Sequence, residues 1–270
     1  MRFITFDPFR ALGIPDVTYI KPELIFAKKD VIKEADWVLF PEYWQVNLLH
    51  YVWKKNIFPS INTYHLGHDK VEMTRALQAF APQHLPYTLI APSNTDVEII
   101  MEQFDFPFVA KEVRNSMGKG VHLISNSKDL KDYMGRNEIL YLQEYLPIDR
   151  DIRLVLVGKK VVFAYWRIGQ QGSFKNNVAQ GGSIDFSPVP REVIELVEDV
   201  ASNLGIDYAG FDVAMVGEHP YFFEFNVMFG NQAIVQAQVP LVKYILDYVN
   251  EKNSPHPPKP LAPAPSPRAS

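Results

Sequence analysis

Two segments late in the chain hold the residues best suited to chemistry. Gly210-Phe211-Asp212-Val213 is followed by Phe222-Phe223-Glu224-Phe225-Asn226. Alternate side chains of a strand share a face, so Glu224 and Asn226 point the same way, and Asp212 sits beside them if the two segments pair as a hairpin. Two carboxylates and an amide oxygen make an all-oxygen donor set of the kind that suits magnesium, or manganese in its place. Magnesium is a hard ion that keeps several waters and is usually completed by phosphate oxygens. A half-solvated hairpin with a polar face would carry the same residues. The apolar neighbours Phe211, Phe222, Phe223 and Phe225 favour the metal reading, because an unpaired carboxylate among them is costly. The aromatic residues themselves read as core.

Positive charge is supplied separately, by Lys70, Lys111, Arg153, Arg167 and Lys175. Lys111 is the clearest: it follows the apolar run Phe106-Pro-Phe-Val-Ala and precedes the loop Ser116-Met117-Gly118-Lys119-Gly120. A lysine and loop amides so placed can embrace one polyphosphate, with the loop as a lid. Gln143-Glu144-Tyr145-Leu146 lies at a strand end, where backbone groups can read an adenine edge and apolar side chains can sandwich its ring. His65-Leu-Gly-His68 lacks a third and fourth ligand for a transition metal and reads as a hydrogen-bonded loop entering a helix.

The elements that position these groups follow from periodicity. Strand-like runs at residues 2–6 and 37–40, with a helical pattern after Glu42, predict a small α/β lobe. Residues 69–80 space Val71, Met73, Leu77 and Phe80 as a helix that presents Lys70 near its start. Strands are expected at 87–91, 108–113, 121–124, 152–157, 160–167, 208–216 and 221–227, and helices at 95–104, 191–204 and 241–249. The expected units are residues 1–67 as an N-terminal lobe, 68–147 as a small lobe carrying the phosphate-covering loop, and 148–252 as the lobe with the metal site. Residues 253–270, rich in proline, serine and alanine, are expected to form a disordered tail. The 270 residues include no cysteine, which excludes disulfides, thiolate metal sites and a cysteine nucleophile, and fits a cytoplasmic protein. The formal charge of −4 argues against nucleic acid as a partner, and no stretch is apolar for long enough to span a membrane.

In their order along the chain these segments resemble the ATP-grasp superfamily, specifically its RimK-like branch of glutamate and amino-acid ligases. The resemblance runs over residues 62–249. It rests on Asp69-Lys70, on Val109-Ala-Lys111 with its glycine loop, and on Gln143-Glu-Tyr and Asp151-Ile-Arg153. It rests also on Phe174-Lys-Asn-Asn177 with Gly181-Gly182, and on Asp212 with Glu224-Phe-Asn226. The resemblance implies an α/β (α+β) ATP-grasp fold whose two α+β lobes grip ATP behind a small N-terminal lobe. By the same resemblance Lys70 and Lys111 contact phosphates under the loop Ser116, Met117, Gly118, Lys119 and Gly120. Gln143, Glu144, Tyr145 and Leu146 border the adenine, and Asp151 the ribose. Arg153, Arg167, Lys175 and Asn177 serve substrate, acyl phosphate or transferred phosphate, and Asp212, Glu224 and Asn226 hold the metal. A symmetric homo-oligomer is expected by the same analogy.

Two departures bear on function. Lys175 stands where the family commonly has arginine, keeping charge but losing the two-pronged geometry. Val227-Met-Phe-Gly-Asn231-Gln232 replaces a small residue and Ser-Pro-Gly, which changes the wall beside the metal site. The implied activity is ATP- and magnesium-dependent ligation of a carboxylate to an amine on a small molecule or peptide, through an acyl phosphate. The alternatives are an ATP-binding protein without catalysis and a ligase with a thiol or alcohol acceptor.

Overall fold

The computed structural model describes residues 1–113, 120–169 and 182–253. The chain opens with β1 (Phe3–Thr5), β2 (Val17–Tyr19), α1 (Lys29–Glu34), β3 (Trp37–Leu39), α2 (Tyr43–Asn47) and β4 (Asn56–Phe58). These strands form a parallel sheet in the order β2-β1-β3-β4. Ile4, Ile32, Val38, Val46, Leu49 and Ile57 fill one core beneath it. The helical pattern expected after Glu42 is present but splits: α2 gives way to a π-helical turn over Leu48–Val52.

Two helices lead out of this lobe, α3 (Ile61–His68) and α4 (Lys70–Phe80). The His65–His68 segment, expected as a loop, is therefore the last turn of a helix. Ser60 supplies the start signal, its hydroxyl accepting from the Thr63 amide, and it is followed by no proline to break the turn. Asp69 breaks the run, because its own extended backbone and its carboxylate, bonded to the amides of Val71 and Glu72, start α4 afresh.

The next unit comprises β5 (Thr88–Pro92), α5 (Val97–Met101), β6 (Phe108–Lys111), β7 (Val121–Ile124), α6 (Ser127–Met134) and β8 (Ile139–Glu144), with the antiparallel strand order β5-β8-β6-β7. Phe108, Ala110, Leu140, Leu142 and Ile124 point into a core closed by Ile100 of α5 and by Leu130 and Tyr133 of α6. Strand alternation then leaves Val109, Lys111, Tyr141 and Gln143 on the other face.

The last unit comprises β9 (Arg150–Val157), β10 (Lys160–Ile168), β11 (Ser183–Asp185), α7 (Arg191–Leu204), β12 (Tyr208–Val216), β13 (His219–Asn226), α8 (Gln232–Gln236) and α9 (Leu241–Asn253). Its five-stranded antiparallel sheet runs β11-β10-β9-β12-β13. One face, with Ile152, Leu154, Leu156, Phe211 and Val213, packs on Val193, Val197, Val200 and Ala201 of α7 and on Met73 and Leu77 of α4. The α7 residues recur at i, i+4, i+7 and i+8, the spacing of one helical face. Gly205, at φ +70°, ends that helix in the left-handed conformation. The opposite face is divided. Val155, Val157 and Tyr208 pack on Phe229, on Ile245 and Val249 of α9, and on Phe3, Leu39 and Phe58 of the first sheet. Further along, Arg153, Asp151 and Asp212 take their place.

Asp207 ties the lobes together from just before β12. It accepts from the Ser60 amide at 2.7 Å, from the Thr63 hydroxyl at 3.1 Å and from the Tyr248 hydroxyl at 3.1 Å. Burial pushes its carboxyl up while these donors pull it down.

Candidate active site

The site forms where the free face of the four-stranded sheet meets the β12–β13 hairpin. That hairpin is antiparallel and sets Asp212 directly opposite Glu224. The register then slips, so that Val213 faces Phe222 and Phe223 is the extra residue of a β-bulge. The bulge explains why Phe222 and Phe225, three residues apart, are both buried in the core beside α7. It also turns Phe223 toward the cleft, where Lys111 Nζ lies 5.4 Å from its ring centroid. Phe223, expected as core, is thus part of the site wall.

Lys111 is buried at the end of β6, with the Tyr141 ring 5.8 Å from Nζ. The Tyr133 hydroxyl donates to the Lys111 carbonyl at 2.6 Å, and the Tyr141 hydroxyl lies 2.7 Å from Thr74 Oγ1 of α4, so both supports are fixed. Burial lowers the Lys111 ammonium to about 8; Glu224 and Asp212 pull it back up and Lys70 lowers it further. Lys70, the first residue of α4, brings Nζ to 3.5 Å from Glu224 Oε2. The Asn226 amide nitrogen donates to Glu224 Oε1 at 3.1 Å, which leaves the amide oxygen as an acceptor.

Beside this lies a buried ionic network across three strands. Arg153 Nε and Nη2 donate to Asp212 at 2.5 and 3.1 Å. Arg167 Nε donates to Asp151 at 2.6 Å, and its Nη2 lies 3.1 Å from Asp212. Register produces the network, since Asp212 pairs with Arg153 across β12–β9 and Asp151 with Arg167 across β9–β10. Burial raises Asp212, but Arg153 and then Arg167 outweigh it and hold the carboxyl below its usual range. Burial raises Asp151 to about 6 against the pull of Arg167. Arg153 lies flat over Gly210, where an added Cβ would fall 3.0 Å from its Nη1 and from the Phe229 ring. Phe229, in the segment that departs from the family pattern, thereby walls the network.

Lys70, Lys111, Arg153, Arg167, Asp151, Asp212, Glu224 and Asn226 are therefore gathered in one region. Gln143 lies further along the Lys111 face, buried, donating to Thr88 Oγ1 at 2.9 Å. Glu144 is bonded through its side chain to the Tyr87 amide at 2.7 Å. Tyr145 is part-exposed at the strand end, followed by Leu146, whose carbonyl accepts from the Ile148 amide. Gly120, at φ +72°, accepts from the Glu112 amide where β7 begins. Ser116, Met117, Gly118, Lys119, Lys175 and Asn177 lie outside the described residues, as does the tail from residue 254. Tyr141, Thr74 and Phe229 escaped the sequence reading because each is an ordinary core residue by type.

The donor set suits a hard divalent cation: Glu224 and Asp212 face one another, with the Asn226 amide oxygen on the same strand as Glu224. Among the described residues no three His, Asp or Glu side chains form a metal cluster, so phosphate and water would complete the coordination.

Comparison with known proteins identifies the family and the fold. The model of the RimK-like ATP-grasp domain matches residues 67–249. A probable alpha-L-glutamate ligase of Enterobacter sp. (strain 638) is 31% identical over 192 residues, covering 66% of this chain and 64% of that protein. A ribosomal protein bS6–L-glutamate ligase of Salmonella newport (strain SL254) is 30% identical over the same shares. The match thus spans somewhat under two thirds of the length of these relatives. Among solved structures, a RimK domain protein ATP-grasp from Sphaerobacter thermophilus superimposes with a TM-score of 0.68 at 15% identity, covering 93% of this chain and 100% of that one. A D-alanine–D-alanine ligase from Bacillus anthracis complexed with ATP gives 0.67 at 13% identity, covering 93% and 96%. These two show the ATP-grasp fold, and no helix among the described residues is long and apolar enough to cross a membrane. With the family match covering most of its length, the chain belongs to the RimK-like ATP-grasp family.

Proposed function

We propose that this chain is an ATP-dependent carboxylate–amine ligase working through an acyl phosphate, with an amino acid or peptide among its substrates. The convergence of Lys70 and Lys111 on Glu224, opposite Asp212, carries the reading. A buried ammonium lowered to about 8 is costly in an empty cleft and is stabilised by a polyanion beside it. In this reading Lys111 and Lys70 hold the phosphates of ATP. Asp212, Glu224 and Asn226 hold magnesium, which supplies charge neutralisation along the polyphosphate when bound. The face that carries half-buried Val109 and buried Gln143 borders the base. Arg153 and Arg167 orient the substrate carboxylate for attack on the γ-phosphorus, which forms the acyl–phosphate bond as ADP leaves. An amine then attacks the acyl carbon and phosphate departs. Chemistry of this type needs positioning and charge neutralisation but no protein nucleophile, which agrees with the absence of cysteine.

Support also comes from the relatives, whose names are those of glutamate ligases. The test is magnesium-dependent ADP release with pooled amino acids, peptides and small carboxylates, comparing the wild type with Glu224→Ala. Release that needs a particular pool and is lost in the variant upholds the ligase. ATP binding with no release above background sinks it in favour of a nucleotide-binding module. Product mass tells an amide from a thioester or ester.

A further inference from the structure

At the α3–α4 junction lies a second concavity, an open cleft of about 660 Å³ lined by Tyr43, Asn47, His65, His68, Asp69 and Glu72. Its character is opposite to that of the nucleotide site. The nucleotide site sets Lys70, Lys111, Arg153 and Arg167 among its carboxylates, whereas this cleft carries two carboxylates and, among the described residues that line it, no lysine or arginine. Its wall is an aromatic plate: the Tyr43 and His68 rings stack with centroids 3.5 Å apart and planes within 10°. His65 is held with Nε2 2.9 Å from Asn47 Oδ1, and the rings of Tyr43 and Tyr51 both lie 6.3 Å from it. Asp69 uses one carboxylate oxygen, Oδ1, for its bonds to the amides of Val71 and Glu72. Glu72 meets Arg75 at 3.2 Å, but both side chains are more than half exposed, and so solvated an ion pair is weak enough for a competing cation to displace. Trp44 of α2 and Tyr51 of the π-helical turn that follows it are each about half exposed.

A carboxylate pair beside stacked rings selects for a cation with an apolar stem, because the charge meets the carboxylates while the stem and the ring faces exclude water together. The same electrostatics disfavour phosphate. Position also matters. Asp69 is followed directly by Lys70, whose Nζ reaches Glu224. Gly67 presses α3 so closely on the end of β13 that an added Cβ would come within 2.5 Å of Val227 and 3.1 Å of Phe225. Consecutive residues, Asp69 and Lys70, thus serve the cleft and the candidate active site in turn. Tyr43, Asn47 and His65 precede the family match at residue 67, while His68, Asp69 and Glu72 fall at its start. The cleft is built jointly by the common catalytic unit and by the part of the chain in which individual specificity can reside.

We propose that this cleft is an anchor subsite for the acceptor, holding a positively charged group, an ammonium or guanidinium on an aliphatic stem such as a lysine or arginine side chain. Its role as acceptor subsite rests on the ligase reading; its preference for cations does not. The probes are argininamide and lysinamide, with N-acetylnorleucinamide as the uncharged control, followed through the imidazole resonances of His65 and His68 in the full-length protein. The two cationic amides move both histidines saturably and the uncharged control does not. Glu72→Lys weakens that binding at least about tenfold while ATP affinity measured on the same sample stays within about twofold. Unmoved histidines up to about 20 mM of either cationic probe, or equal shifts from N-acetylnorleucinamide, overturn the subsite. Cation binding in a protein that turns over no ATP with any carboxylate and amine pool overturns the ligase reading and leaves the subsite standing. Ligation of basic acceptors with a KM unchanged by Glu72→Lys overturns the subsite alone.

Discussion

The two sheets that face the candidate nucleotide cleft solve the same electrostatic problem in opposite ways. In the five-stranded sheet, Arg153 and Arg167 are buried but matched by Asp212 and Asp151 at 2.5 to 3.1 Å, each cation opposite its partner by strand register. In the four-stranded sheet, Lys111 is buried with two aromatic rings beside it and, among the described residues, no carboxylate at ion-pair distance. The first arrangement balances its buried charge within the fold, before any ligand binds. The second is completed by one, so it costs stability until an anion arrives. Compensated charges fix the frame of the site, and the uncompensated charge provides its affinity.

Breaking the compensated side has the largest effect. Asp212→Ala leaves Arg153 and Arg167 facing each other without their shared anion, and removal of one partner from a buried network costs about 3–5 kcal/mol. Urea unfolding should show a midpoint lowered accordingly, with ADP release lost as well. A loss below about 1 kcal/mol would mean that the two arginines find water, and that the network is not the rigid frame described.

Breaking the uncompensated side should have the opposite sign. In the unfolded chain Lys111 titrates near its ordinary value of about 10.4, whereas burial lowers it in the folded protein to about 8. The folded state therefore holds the proton less tightly, and at pH 7 folding carries a cost of roughly 3 kcal/mol. Lys111→Met removes that cost: it is expected to unfold at higher urea than the wild type at pH 7. The advantage fades as pH rises from about 8 and is gone only above about 10.4, where the wild-type amine is neutral in both states. The same variant loses nucleotide affinity. In the wild type, ATP favours the protonated amine, so affinity falls as pH rises through about 8. Proton uptake on binding appears there as a buffer-dependent enthalpy in calorimetry. A variant less stable than the wild type at pH 7 would show that the amine is solvated in the free protein.

The contrast also explains what was legible in the sequence. Asp212, Glu224 and Asn226 were legible because strand alternation is strict and hairpins are local, so pairing followed from two short segments. Helix α7 was legible because Val193, Val197 and Val200 repeat at helical spacing and Gly205 stops it. Lys111 stood out as a lysine closing an apolar strand. The β9–β10 hairpin follows from two strand-like runs joined at Gly158, but the pairing of β9 with β12 was not legible: whether Arg153 meets Asp212 depends on which strand lies beside β12, a fact of tertiary order rather than of local pattern. The bulge at Phe223 was hidden for a related reason, since a slip of register shows only against a partner strand. The turn at His65 to His68 was misjudged because Gly67 in a helix is locally unfavourable, and the contact with Val227 that requires a glycine there lies 160 residues away in sequence.

A final substitution isolates burial from pairing itself. Arg191 and Glu195 of α7 form an i,i+4 pair at 2.7 Å, within the 2.5–3.1 Å range of the buried network, yet both side chains are mostly exposed. Solvent screens the attraction and the side chains lose freedom in making it, so Arg191→Ala is expected to change Tm by less than about 2 °C, with ADP release unaltered. If the surface pair proved as costly to break as Asp212, distance alone would govern these interactions and the contrast between the two sheets would lose its basis. If it is nearly silent, the large effects at Asp212 and Lys111 belong to desolvation. The sign of each is then set by whether the fold itself, or only a bound anion, supplies the opposite charge.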